Sequence, residues 1–303
     1  MKDRSLGVFL YSDAFSGKDL EDTAQRVEGL GYETLWYVEA LSWEIFACGA
    51  HLLASTSTLE VGAGIANIYA RDPMATVQGG RSLHEFSGGR YILGLGVSHD
   101  SLVKEVRGHE YRKPLTYMKQ YLDRMDLARP LLPGEDPPMV LAALGPKMVS
   151  LGGERTQGVL PFNCPPEHTA AARNALGTEP WLITGQHVCW CENPSQARAI
   201  ARSALRFYTD QPNYFRNWFR YGFDESDIRG GLSDRLVDRL VAWGSLGQIQ
   251  DRINEHLDAG ATQVAINAIS YDSDGQPRVP TLYGQEFNYA CIPDWNLLEE
   301  LAP

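Results

Sequence analysis

Residues 59–67 read Leu-Glu-Val-Gly-Ala-Gly-Ile-Ala-Asn, and residues 91–99 read Tyr-Ile-Leu-Gly-Leu-Gly-Val-Ser-His. Both are short apolar runs, as strands buried on both faces require, and both place glycine at alternate positions. Glycine weakens a strand interior, so its repeated use points to a bulge or to close approach of a ligand or another backbone. Gly62, Gly64, Gly94 and Gly96 fit a broad flat ring lying against bare backbone. Tight packing inside a closed barrel accounts for them equally well.

Between the two runs, Pro73 opens a helical stretch, Met74–Phe86, from the first-turn position where proline is tolerated. The alternation extends both ways. Toward the N-terminus lie a strand at Ser5–Tyr11, a helix at Lys18–Leu30, a strand at Thr34–Val38 and a helix at Glu44–Ala54. In the first helix Leu20, Ala24, Val27 and Leu30 share one face, and Gly31 supplies the stop. Toward the C-terminus strands are expected at Met139–Leu144, Gly158–Phe162, Thr184–Cys191 and Thr262–Ile269. Helices are expected there at Lys147–Gly152, Glu167–Leu176, Ser195–Tyr208 and Gly247–Ala259.

Repeating strand–helix units imply parallel strands joined by right-handed crossovers. The fold class predicted is α/β: a (β/α)8 TIM barrel, one domain over residues 1–303. Residues 211–243 hold more helix than one crossover needs. Tyr214–Tyr221 and Asp234–Trp243 read as a helical insertion near the seventh and eighth units. The tail 271–303 reads as loop-rich with a last short helix. An open doubly wound sheet shares the alternation, but no Gly-x-Gly-x-x-Gly run follows the first strand.

At 303 residues with 44% hydrophobic and 21% charged content, the chain can bury a large core without disulfides or metals. A net charge of −11 argues against nucleic acid or an anionic membrane as partner, because both need a basic face. It leaves room for an anion held locally by backbone N–H groups. The five cysteines, Cys48, Cys164, Cys189, Cys191 and Cys291, form no Cys-x-x-Cys pair. Met1-Lys2-Asp3-Arg4 lacks an export signal's apolar region, so reduced thiols in a cytoplasmic protein are expected. No apolar stretch has the length of a membrane span.

In a barrel, function sits where strands end. Glu39 is a lone carboxylate after the second strand, able to orient a ring or pair with a cation. His99 follows the fourth strand, where an imidazole could exchange a proton near neutral pH or merely cap a helix beside Asp100. Gly145-Pro146-Lys147 lies between a strand and a helix, where free N–H groups and the helix dipole make a phosphate seat; an ordinary turn explains it equally. The seven histidines form no His-Glu-x-x-His helix and no metal-ligand spacing, so no metal is expected.

These residues together resemble the luciferase-like monooxygenase superfamily, in its coenzyme F-420-dependent oxidoreductase branch. The resemblance runs from about Leu6 to Ile269 and is densest from Gly31 to Tyr121. It is carried by residues 30–36, 61–67 with Arg71-Asp72-Pro73, 87–90 leading into 93–99, and Lys113-Pro114 with Met118, Tyr121 and Leu122. Later come residues 144–148 and 157–159. The resemblance implies a bulged third strand with a non-prolyl cis peptide, which falls on Gly64–Ile65. It implies a ring beside Ile65 and Val97, with Asn67 and Ser98 in polar reach. The phosphate and tail would lie over Leu144, Gly145 and Lys147. A homodimer is expected from the resemblance alone.

Relatives that oxidise alcohols carry Asp-His after the second strand, the histidine serving as base; here the pair is Glu39-Ala40. The acidic residue that they place after the fourth strand is replaced by His99. The resemblance therefore points toward reduction or monooxygenation of a small-molecule substrate. His99 is the candidate proton donor, Glu39 the candidate orienting group, and Trp43 and Tyr69 are candidate substrate walls. The alternatives are an FMN-dependent two-component monooxygenase and a flavin-binding protein without turnover, with a barrel hydrolase disfavoured by the missing metal ligands.

Overall fold

A computed structural model describes residues 4–279, 281–282, 284–286 and 292–303. Met1–Asp3 and Cys291 lie outside the described residues. The strands are β1 Ser5–Leu10, β2 Thr34–Tyr37, β3 Glu60–Ala63, β4 Ala66–Asn67, β5 Tyr91–Gly96, β6 Met139–Leu141, β7 Gly158–Val159, β8 Trp181–Cys189, β9 Val241–Trp243 and β10 Gln263–Ala268. The helices are α1 Gly17–Gly29, α2 Ile45–Ala54, α3 Pro73–Phe86, α4 Pro114–Ala128, α5 Pro146–Arg155, α6 Pro166–Leu176, α7 Pro194–Leu205, α8 Pro212–Arg220, α9 Asp234–Leu240, α10 Leu246–Asp258 and α11 Trp295–Glu300.

Helix starts follow their capping residues. The Ser16 hydroxyl accepts the Asp19 N–H while the Asp19 carboxylate accepts the Ser16 N–H, a reciprocal cap that begins α1. The Asp72 carboxylate accepts the Ala75 N–H, and Pro73 occupies the first turn of α3. Strand β5 is buried along its whole length, with one face inward and the other under helices, as its unbroken apolar run requires.

The barrel strands pair in parallel. β1 pairs with both β2 and β10, and β10 pairs with β8. That last pairing closes eight strands into a ring, with β4 continuing β3, and it excludes an open sheet. Along the third strand Gly62 pairs with Ile92, whereas Ala66 pairs with Leu95. Four steps on one strand thus span three on its neighbour, which is the register of a bulge. The bulge lies at the C-terminal end of the barrel.

Two elements differ from the sequence reading. The helix expected over Asp234–Trp243 stops at Leu240, and Val241–Trp243 becomes a strand beside His187–Cys189. The helical spacing of the apolar residues runs on, but a partner edge is available, and valine suits an extended backbone. Helix α4 occupies a stretch to which the sequence reading assigns no element, and Met118, Tyr121, Leu122 and Met125 form its buried stripe. The insertion lies between β8 and β10 as a short 3-10 helix, Arg206–Asp210, followed by α8 and α9. The tail supplies α11 and a small hairpin at Thr281–Leu282 and Gln285–Glu286. No helix among the described residues is long and apolar enough to cross a membrane.

Candidate functional site

The C-terminal ends of the strands open into a cleft of about 830 Å³. One wall is rich in glycine and small residues, formed by Gly64 and Ile65 in the bulge, Gly96 at the end of β5 with Val97 after it, and Ala142 after β6. The peptide joining Gly64 to Ile65 is cis. The glycines answer first to packing. A Cβ on Gly62 would stand 2.5 Å from the Trp36 ring, one on Gly94 would stand 1.9 Å from the Ala63 carbonyl oxygen, and one on Gly96 would stand 2.5 Å from Ile65. Of the four, only Gly64 and Gly96 line the cleft. Close packing therefore accounts for Gly62 and Gly94, and the ring-seat reading applies to the other two alone.

Glu39 reaches the cleft edge, but its carboxylate is engaged. It accepts the Asn67 N–H at 2.8 Å and both terminal nitrogens of Arg71, and its side chain is 4% exposed. Arg107 approaches the same carboxylate at 3.9 Å. This is a charge buried with its partner, suited to holding the bulge in place.

The far end of the cleft is cationic. α5 begins at Gly145 with no side-chain cap. Among the described residues the backbone N–H groups of Gly145 and Lys147 have no hydrogen-bond acceptor. Lys147, Arg216 and Arg220 line the cleft there, and the Arg220 Nη2 would sit 4.0 Å from a Cβ on Gly145. Uncommitted N–H groups at a helix start and nearby cations form a seat for an anion.

The remaining wall is aromatic. The His99 ring meets Phe207 edge-on at 5.1 Å and lies near Tyr214 at 6.0 Å. Burial pushes its imidazole down to about 4, so it stands neutral at pH 7. Tyr11 and Tyr208 share a hydrogen bond of 2.6 Å across the cleft floor. Beside them, His187 Nδ1 pairs with the Asn267 amide oxygen at 2.7 Å. Burial pushes this second imidazole down to about 4 as well.

The structure thus brings together Glu39, Gly64, Ile65, Val97, Ser98, His99, Leu144, Gly145 and Lys147 on one cleft. Three expected residues are not on its walls. Asn67 is buried, with its amide oxygen accepting the Tyr69 N–H. Trp43 turns away and donates to the Phe15 carbonyl. Tyr69 faces an outer groove of about 870 Å³ between α3 and α4, where it stacks on Tyr111 and accepts the Arg112 N–H. Trp43 and Tyr69 therefore lie off the cleft, whose aromatic wall is made by Phe207, Tyr208 and Tyr214.

Sequence reasoning also missed Arg216 and Arg220. The run Asn213-Tyr-Phe-Arg-Asn-Trp-Phe-Arg, aromatic and basic inside the insertion, was the signal available. No group of metal-ligating side chains occurs among the described residues.

A family model described as luciferase-like monooxygenase matches residues 5–263. The chain is 26% identical over 290 residues to the 5,10-methylenetetrahydromethanopterin reductase of Methanolobus tindarius, covering 80% of this chain and 87% of that one. Its fold resembles the coenzyme F420-dependent tetrahydromethanopterin reductase of Methanopyrus kandleri, with a TM-score of 0.71, 19% identity, and coverage of 87% and 92%. It also resembles the oxygenating constituent of 3,6-diketocamphane monooxygenase from Pseudomonas putida, solved with FMN, with a TM-score of 0.67, 15% identity, and coverage of 100% and 97%.

Proposed function

The chain belongs to the luciferase-like monooxygenase family, and on that premise we propose that it is a coenzyme F-420-dependent oxidoreductase that moves hydride to or from a small organic substrate. The observation that carries this reading is the joining of two features in one cleft. A bulged wall with glycine at Gly64 and Gly96 and only the Ile65 and Val97 side chains stands on one side, and an anion seat lies at Gly145–Lys147 with Arg220. The likeness to a 5,10-methylenetetrahydromethanopterin reductase along 80% of the chain, and in fold to a coenzyme F420-dependent one, supports the deazaflavin over FMN.

The residues present fit such a coenzyme. Ile65 and Val97 would support one face of the ring, and Leu144 would cover the linker. The free N–H groups at the start of α5, with Lys147 and Arg220, would hold the phosphate. Bound there, the deazaflavin supplies a two-electron hydride carrier. The chain's part is to place both reactants and to keep water away, which Leu102, Phe207 and Tyr214 serve. Ala40 holds no proton. His99, neutral at pH 7, is left as the group that hydrogen-bonds the substrate, as donor or acceptor.

Titration of the protein with F-420 and with FMN, followed by fluorescence, tests the reading. Tight binding of F-420 is expected; tight binding of FMN alone would reject it. Oxygen consumption with reduced FMN would move the protein to the monooxygenase side of the family. Size-exclusion chromatography tests the homodimer that accompanies this reading.

A further inference from the structure

We propose that the aromatic part of the cleft takes a flat, largely apolar molecule without an anionic group, whose single carbonyl-type oxygen is held by the His99 imidazole. The inference rests on the reading above only for where turnover occurs, because the walls belong to the chain itself.

Those walls form a continuous path of rings. The Gly64 backbone abuts Phe9, whose Cε2 would stand 3.0 Å from a Cβ there. Phe9 stacks on Phe162 at 4.6 Å, Phe162 lies 6.1 Å from Tyr208, and Tyr208 meets Tyr214 at 4.6 Å. Tyr214 then faces His99, and His99 meets Phe207. Rings arranged in this way offer faces and edges to a planar guest. The rim is apolar too, with Leu41 57% and Val106 64% exposed to solvent at the opening. Exposed apolar side chains around a concave entrance mark a path for an apolar ligand.

Charge in the cleft lies elsewhere or is already paired. Glu39 is held by Arg71, and Glu105 is exposed at the rim. Arg216 and Arg220 stand four residues apart on one face of α8, Arg220 beside Gly145, whereas Tyr214 projects from a different face. An ionised carboxylate among the rings would lose its hydration and gain no partner. Among the described residues that line the cleft, one buried side-chain polar atom lacks a partner. His99 Nδ1 is buried without a partner, and no group among the described residues hydrogen-bonds the ring. On the wall of an open cleft, a buried polar atom left unpaired by its own chain is placed to meet a ligand atom. A neutral imidazole can meet a carbonyl as donor and an imine-type nitrogen likewise, and it gives an anion no charge to pair with.

The test is a matched pair of probes, 4-phenylbut-3-en-2-one and its ring-carboxylated analogue, titrated calorimetrically into the protein alone and into the protein saturated with F-420. The neutral ketone is expected to bind at least about tenfold tighter in both settings. In His99→Ala, the ketone's advantage over the same molecule with its carbonyl replaced by methylene should fall about tenfold, with F-420 affinity retained. Equal or tighter binding of the carboxylate would overturn the inference, as would absence of ketone binding. If F-420 fails to bind while the ketone preference holds, the coenzyme reading falls and this one stands. If F-420 binds and the carboxylate is preferred, the reverse follows.

Discussion

The guanidinium of Arg71 lies across the carboxylate of Glu39, Nη1 bonding Oε2 at 2.9 Å while Nη2 bonds Oε1. The same Oε2 accepts the Asn67 N–H, so the end of β2 is fastened to the residue pair that follows the bulge. Glu39 is thereby a positioning residue. Its charge is already matched, and its oxygens are occupied.

Glu39→Ala leaves Arg71 with only the exposed Glu44 carboxylate, at 3.0 Å, and the Asn67 N–H with no acceptor; it should cost about 1–3 kcal/mol in denaturant unfolding. Glu39→Gln keeps an acceptor for the Asn67 N–H and should cost less, with coenzyme affinity falling alongside stability. A Gln variant that binds coenzyme normally and loses only kcat would instead make Glu39 a proton carrier.

Gly96→Ala drives a methyl group into Ile65. The expected result is a loss of about 1–3 kcal/mol, together with weakened ring binding because Ile65 is pushed into the cleft. The double variant Gly96→Ala with Ile65→Ala should recover stability. Gly94→Ala meets a backbone oxygen at 1.9 Å and should have no such rescue.

Arg220→Ala should weaken F-420 binding about tenfold and flatten its dependence on salt. Binding of a deazaflavin ring without phosphate should stay unchanged. Equal loss for both ligands would place Arg220 in the fold and not in the anion seat.

Much of the barrel is legible in the sequence, because a strand buried on both faces must be an unbroken apolar run and a covering helix must carry a stripe. Ser5–Leu10 and Tyr91–Gly96 satisfy the first rule, and Lys18–Leu30 the second. Residues near strand ends are equally readable, since Glu39, His99 and Gly145 come shortly after strands that end at Tyr37, Gly96 and Leu141. Side-chain direction was not. Trp43 and Tyr69 are large, near strand ends and plausible as walls, yet their rings are captured by Phe15 and by the 109–117 segment. Tyr208, Tyr214 and Arg220 arrive from the insertion, whose path across the barrel mouth is set by tertiary packing such as the Trp218 Nε1 bond to the Asn163 carbonyl. No local pattern encodes that path.

Acid should unfold the protein in two windows. Burial holds His99 and His187 at about 4 and His256 at about 3, against 6.5 when free. As pH drops below 6.5 the unfolded chain takes up protons that the native imidazoles refuse, so stability is full above 6.5 and declines toward 4 and then 3. Burial raises the Glu28 carboxyl, but the N–H groups of Thr58, Leu59 and Ser57 outweigh it and hold the group at about 2, against 4.5 when free. Its contribution is present above 4.5 and is lost as pH falls to 2. Urea midpoints measured from pH 8 to 3 should fall from 6.5 downward, and less so in His187→Gln. A flat profile between 6.5 and 4 would mean that these imidazoles are charged in the native state.

Helix α8 carries Tyr214 near its start and Arg220 at its end, so a single stiff rod of nine residues spans both extremities of the cleft. A shift of that rod changes the grip on a negatively charged tail and the shape of the aromatic chamber in one movement. Exchanging residues 206–220 between relatives would accordingly transfer the two preferences as a linked pair, and a point change at either extremity would be felt at the other.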